Sequence, residues 1–136
     1  EHVGPITVWR KNLREGSGGA GEQRGGLGQI IEIEARSGHD IWFNAMFDRV
    51  ENPARGREGG ATGARGAVEL TDGTVLRSKG RQPVAPGQRL RLSLPGGGGY
   101  GDPANRDRAR VRADLDAGFI TREQAGTQYG YDPESD

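Results

Sequence analysis

Residues 29–48 read QIIEIEARSGHDIWFNAMFD, and this stretch decides the class of fold. Over residues 31–34 isoleucine alternates with glutamate, which is the two-residue period of a half-buried strand. Residues 40–48 carry apolar side chains at both alternating positions, as does a strand inside a sandwich or barrel. The tripeptide Ser37-Gly38-His39 joins the two. The stretch therefore predicts strands over residues 29–36 and 40–48 in a mainly β fold.

Similar alternation extends outward on both sides of this stretch. Residues 5–13 alternate with a period of two, and so do the leucines and arginines of residues 89–94, where Pro95 ends the strand. Residues 67–70 and 74–78 flank an Asp-Gly pair, which favours a β-hairpin with a type I′ turn. A further turn is expected over residues 83–87.

Glycine dominates the connections, since the chain has 25 Gly and 7 Pro among its 136 residues. Residues 16–28 contain seven glycines and predict a long, ordered loop rather than a helix or strand. The Gly-x-Gly-x-x-Gly pattern at residues 16–21 is not followed by a helix, so it does not indicate a dinucleotide site. Backbone amides of residues 16–28 and 95–102 could form an anion-binding nest, but tight crossings of backbone are the preferred interpretation.

The period changes near the C-terminus. Apolar residues four apart predict a helix from about Asp107 to Gly118, and a capping-box pattern predicts another over residues 121–127. The expected architecture is mainly β, sandwich- or barrel-like with Gly-rich loops, with a short C-terminal helical tail. We assign residues 1–103 to the β-rich domain and residues 104–136 to the tail.

Charge and composition exclude several classes of function. Nineteen basic residues balance nineteen acidic ones, and each half of the chain is also neutral, which argues against a nucleic-acid or membrane-surface partner. No apolar run is long enough for a membrane span, and no signal peptide is expected. The lack of cysteine excludes disulfides and is compatible with a cytoplasmic location.

Candidate catalytic groups do not form a set. His2 and His39 are the only histidines and are far apart, so no metal site is expected from them, and Ser17 lacks a nearby histidine base. Only 32% of the residues are apolar, which predicts that other polypeptide completes the core. We therefore assign no catalytic and no metal-binding residue.

Five segments, taken in order, carry a family resemblance. They are REGSGGAG at 14–21, RGGLG at 24–28, SKG at 78–80, LPGGGGYGDP at 94–103 and YG at 129–130. Together they resemble the C-terminal part of the hydantoinase B / oxoprolinase family across nearly the whole chain. The family pattern often has Asp before Ser-Gly-Gly, whereas this sequence has Glu15-Gly16.

The resemblance implies an ATP-dependent enzyme that opens cyclic amides such as hydantoins, oxoproline or lactams. A hydantoinase A-type partner would bind ATP and phosphorylate the substrate oxygen, and the B-type part would complete hydrolysis, usually at a metal. Family B subunits are several times longer, and their metal ligands lie in the part absent here. ATP and a divalent metal are thus expected in the full complex and not on this chain, which is expected to be inactive alone.

The first hypothesis is a C-terminal part of a B-type subunit that packs its Gly-rich loops against the remaining B-type body or the A-type subunit. Arg14, Ser17, Arg24 and Lys79 are the predicted binding or interface residues. Two alternatives stay open: a free-standing β-rich interaction module without activity, and part of an acetone-carboxylase-like, ATP-dependent carboxylase.

Overall fold

The computed structural model describes residues 4–36, 38 and 40–134. Its strands and helices follow the alternation in the sequence, and the fold is mainly β with two short helices near the C-terminus. The elements are β1 Ile6–Leu13, β2 Gln29–Ala35, β3 Ile41–Met46, β4 Ala67–Leu70, β5 Lys79–Val84, β6 Arg89–Ser93, a 3₁₀ turn Pro103–Asn105, α1 Arg108–Asp116 and α2 Arg122–Tyr129.

Four strands form an antiparallel sheet in the order β1-β2-β6-β4. Isoleucines of β2 lie opposite leucines of β6, with Ile33 paired to Leu90, and these apolar side chains point to one face. The other face carries ion pairs, including Arg91 with Glu32 at 2.8 Å. At the edge, β1 has a bulge between Val8 and Arg10. A bulge interrupts an edge strand and blunts its tendency to pair with other chains.

The remaining two strands, β3 and β5, form a second antiparallel sheet. A core of buried residues from both sheets, Val68, Leu70, Val84 and Leu90, lies between them. The prediction that β3 is buried on both faces is wrong: Trp42 is 58% exposed and Met46 is 77% exposed. Because β3 pairs only with β5 and packs on one side, its outer face meets solvent in this chain.

The hairpin around Asp72-Gly73 differs from its prediction. Leu70 donates its amide to the carbonyl of Thr74, and Gly73 has a φ of 92°, but Asp72 does not have the positive φ that a type I′ turn requires. Residues 74–78 make one isolated bridge, Glu69 with Val75, and β4 pairs with β6 instead. The turn predicted at residues 83–87 starts later, because β5 extends through Pro83 to Val84.

Glycine-rich segments cross one another at backbone contact distance in what we call the glycine bundle, residues 17–28, 54–64 and 95–101. Gly19 donates to Gly97, Gly97 donates to Gly26, and Gly99 donates to Ala61. A Cβ atom on Gly96 would collide with the carbonyl oxygen of Ser17, and one on Gly25 with that of Gly97. These contacts confirm the tight-crossing interpretation of the glycines.

A second core joins the helices to the glycine bundle. Val111 and Ile120 pack with Ala125 and Tyr129 against Ala20 of the bundle. The capping box at the start of α2 is confirmed, since Thr121 and Gln124 exchange hydrogen bonds of 3.1 Å. This helix ends two residues beyond its prediction, where Gly130 adopts a φ of 57°. The division at residue 103 stays a prediction. No described helix has the length and hydrophobicity that a membrane crossing needs.

Candidate functional site

Arg14 and Ser17 lie where β1 enters the glycine bundle. Ser17 is 1% exposed, and its hydroxyl donates to the carbonyl of Arg14 at 2.6 Å while accepting the amide of Gly28 at 2.9 Å. The guanidinium of Arg14 donates to the carbonyls of Arg65 and Leu94. Both side chains therefore tie this end of β1 to neighbouring loops.

Arg24 lies at the centre of a nearly buried ion cluster. Its Nε donates to Asp114 at 2.9 Å, and Arg106 donates to the same carboxylate at 2.7 Å. The Arg24 guanidinium also stacks on Phe119, 5.4 Å from the ring centre. Because two guanidinium groups share one carboxylate, the cluster keeps a net positive charge.

Lys79 stands apart from these three residues. It lies at the start of β5, where its Nζ is 2.6 Å from Asp48, and both side chains are largely exposed. Hydrogen bonding to Lys79 lowers the pKa of Asp48 below its ordinary value. The structure thus brings Arg14, Ser17 and Arg24 to the glycine bundle and places Lys79 elsewhere. A binding or interface role for the four residues stays a prediction.

Metal-ligating side chains are dispersed in the part of the chain that the structure describes. There, no three His, Cys, Asp or Glu residues are grouped closely enough to hold an ion. The two histidines considered from sequence, His2 and His39, lie outside the described residues. The described residues do not fit a metal centre, and no chemical step is assigned to a metal on this chain.

One concentration of charge was missed by sequence reasoning. Arg49, Arg55 and Arg57 line the same surface depression together with Ala54 and Gly56. Arg55 and Arg57 are visible as an Arg-Gly-Arg run within a Gly-rich stretch, but Arg49 joins them only through the fold. No sequence signal indicates that meeting, because Arg49 precedes a loop whose path depends on contacts with distant glycines.

The family comparison covers most of the chain. The family model described as Hydantoinase B/oxoprolinase matches residues 1–103. The caprolactamase subunit beta of Pseudomonas jessenii is 33% identical over 132 or more aligned positions, 151 in all, covering 96% of this chain and 24% of that protein.

Two solved structures share the fold. The crystal structure of the ATP-dependent caprolactamase from Pseudomonas jessenii superposes with a TM-score of 0.79 at 30% identity, covering 97% of this chain and 24% of the other. A nucleotide-free acetone carboxylase superposes with a TM-score of 0.65 at 21% identity, covering 93% of this chain and 21% of the other. At that identity the second likeness shows the fold alone.

The chain thus spans about a quarter of the length of the relatives it matches. The shared region includes both sheets and the glycine bundle, so the likeness rests on a complete structural unit and not on one glycine motif. The family model alone matches more than half of the sequence. This chain belongs to the hydantoinase B/oxoprolinase family.

Proposed function

We propose that this chain is the C-terminal part of a B-type subunit in an ATP-dependent cyclic amidohydrolase that opens hydantoin, oxoproline or lactam rings. The observation that carries the proposal is the superposition of 97% of the chain on about a quarter of an ATP-dependent caprolactamase. A hydantoinase A-type subunit is the proposed ATP-binding partner. The ATP requirement favours the cytoplasm as the location.

The glycine bundle is the proposed scaffold of this part of the enzyme. Backbone segments held at contact distance leave little room for local opening, because each segment hydrogen-bonds to several others. Loops anchored in this way can hold a substrate-facing surface in a fixed position. ATP and a divalent metal are proposed to bind in the rest of the complex, and the isolated chain is proposed to be inactive.

The outer face of β3 is the proposed contact with the remaining B-type body. Trp42 and Met46 lie on this face two alternations apart, and both are mostly exposed. Arg81 stacks on Trp42 at 4.4 Å and leaves the rest of the indole uncovered. Since about three quarters of the related subunit lies outside this chain, a partner surface of the required size exists in the same polypeptide of the relative.

A reconstitution experiment tests the proposal. The A-type subunit and the remaining B-type body are purified with and without this chain, and ATP-dependent ring opening is measured for a hydantoin, 5-oxoproline and caprolactam. We expect turnover and ADP release only when all three parts are present. Acetone with bicarbonate is included as a fourth substrate.

Each outcome is informative. Ring opening by the isolated chain contradicts the proposed division of labour. Unchanged turnover without this chain favours a free-standing module, and carboxylation of acetone in place of ring opening favours the carboxylase alternative. The test therefore separates the three functions considered from the sequence.

A further inference from the structure

The arginines of this chain are mostly matched by partners. Arg91 bridges Glu32 and Glu69, Arg89 pairs with Glu34, and Arg112 pairs with Asp116. Such pairing is expected in a chain with no net charge. An arginine cluster without acidic partners is therefore an exception that needs a physical explanation.

That exception is the depression lined by Arg49, Ala54, Arg55, Gly56 and Arg57, whose volume is about 470 Å³. No carboxylate lines it. Within the described residues, none of its three guanidinium groups forms an ion pair. Arg49 attracts the neighbouring carboxylate of Asp48 at longer range, but Asp48 is already paired with Lys79.

The backbone that carries two of these arginines is fixed by the glycine bundle. The amide of Arg57 donates to Gly99 at 2.9 Å, and its carbonyl accepts the amide of Gly101 at 3.0 Å. Gly98 packs directly on the carbonyl of Arg55, where a Cβ atom would collide. Because the two backbone positions are locked, bringing the side chains together on a ligand costs less entropy than on a free loop.

Arg49 reaches the depression from a strained backbone. Its φ of 59° lies in the left-handed region, which glycine adopts without penalty and arginine does not. Its carbonyl accepts the amide of Gly66 at 3.0 Å, which fixes this conformation. An arginine at a position suited to glycine indicates that the side chain contributes something other than folding stability.

We propose that Arg49, Arg55 and Arg57 form a binding site for a phosphate-type oxyanion. Guanidinium groups donate pairs of parallel hydrogen bonds to phosphate oxygens and stay charged at all physiological pH values. Three of them around one open depression suit a tetrahedral, multiply charged anion, either free phosphate or the phosphoryl end of a small molecule. The site goes beyond the proposed function and requires no partner subunit.

Binding of inorganic phosphate to this chain tests the site. Titration in low-salt chloride buffer, followed by calorimetry and by amide NMR shifts, should give saturable binding with shifts centred on residues 49 and 54–57. Arg55→Gln with Arg57→Gln should weaken binding at least tenfold. Arg112→Gln, which changes an exposed arginine of α1, should leave it unchanged.

Arg49→Gly separates binding from folding. It removes the guanidinium and relieves the left-handed strain, so phosphate affinity should fall while the thermal midpoint stays equal or rises. Parallel titrations with phenyl phosphate and sodium acetate distinguish the sources of the anion. Tighter binding of phenyl phosphate identifies a phosphoryl group on a small molecule. No saturable phosphate binding, equal binding by all variants, or preference for acetate would overturn the proposal.

Discussion

Arg24 and Asp114 are ninety positions apart in the sequence, yet Nε of the arginine lies 2.9 Å from Oδ2 of the aspartate. This ion pair joins the glycine bundle to α1. Arg106 shares the carboxylate, and the three side chains are only 8 to 14% exposed. The position of the helices therefore depends on one buried carboxylate as well as on apolar contacts.

Replacing that carboxylate should be costly. In Asp114→Asn two nearly buried guanidinium groups lose their counter-charge, and removing one partner of a buried ion pair costs about 3 kcal/mol. Urea unfolding of the chain measures the loss. Asp116→Asn is the matched control, because Asp116 is an exposed partner of Arg112 on the same helix. Its expected effect is below about 0.5 kcal/mol, so similar losses in the two variants would contradict the role of the cluster.

Two glycine substitutions should have opposite effects. A methyl group at Gly96 would collide with the backbone of Ser17, so Gly96→Ala should abolish cooperative unfolding or strongly lower the thermal midpoint. Gly126 lies within α2 with no atom near its missing Cβ, and Gly126→Ala should stabilise the chain by up to about 1 kcal/mol. Thermal unfolding compares both. Tolerance of alanine at Gly96 would mean that the bundle is not close-packed there.

The strands were predictable because their alternation is local. Residues 29–35 and 41–46 were found from periodicity alone, and the capping pattern of residues 121–124 located the start of α2. The Asp-Gly hairpin failed for a tertiary reason. Val68 and Leu70 gain more burial by pairing β4 with β6 than residues 74–78 could provide, and one isolated bridge is all that remains.

The site was harder to predict because it depends on distant contacts. The family resemblance came from glycines whose spacing is visible in sequence, and their close contacts explain why no other residue fits at positions such as Gly25. The meeting of Arg49 with Arg55 and Arg57 has no local signal. Ser17 was selected as a polar group near a surface, but its burial follows from hydrogen bonds that only the folded loop provides.

The exposed face of β3 should matter for assembly and little for folding. Trp42→Ser with Met46→Ser removes the two large apolar side chains of this face, and the isolated chain should lose at most about 1 kcal/mol, mainly from the Arg81 stack. Affinity for the remaining B-type body, measured by calorimetry, should fall at least tenfold. Val75→Ser is the control, since Val75 is 79% exposed outside β3 and β5. Equal losses from both changes would argue against a specific contact.

Tyr129 should make the stability of the chain depend on alkaline pH. Burial raises the pKa of its hydroxyl, although the charge of Arg106 and the amide of Gly21 act in the opposite direction. The unfolded chain ionises near pH 10, so the folded state holds its proton to higher pH and the free energy of unfolding falls as pH rises above about 10. Urea unfolding between pH 8 and about pH 11 measures the slope.

The variant Tyr129→Phe removes this contribution, so its stability should decline less over the alkaline range. At neutral pH it should equal the parent or gain up to about 1 kcal/mol, because the buried hydroxyl has no good hydrogen-bond partner among the described residues. Tyr100→Phe, at a tyrosine that is 56% exposed, controls for the loss of a phenol. A clear loss of stability in Tyr129→Phe at neutral pH would mean that the hydroxyl is hydrogen-bonded, for instance through a bound water molecule shared with Nε of Arg106.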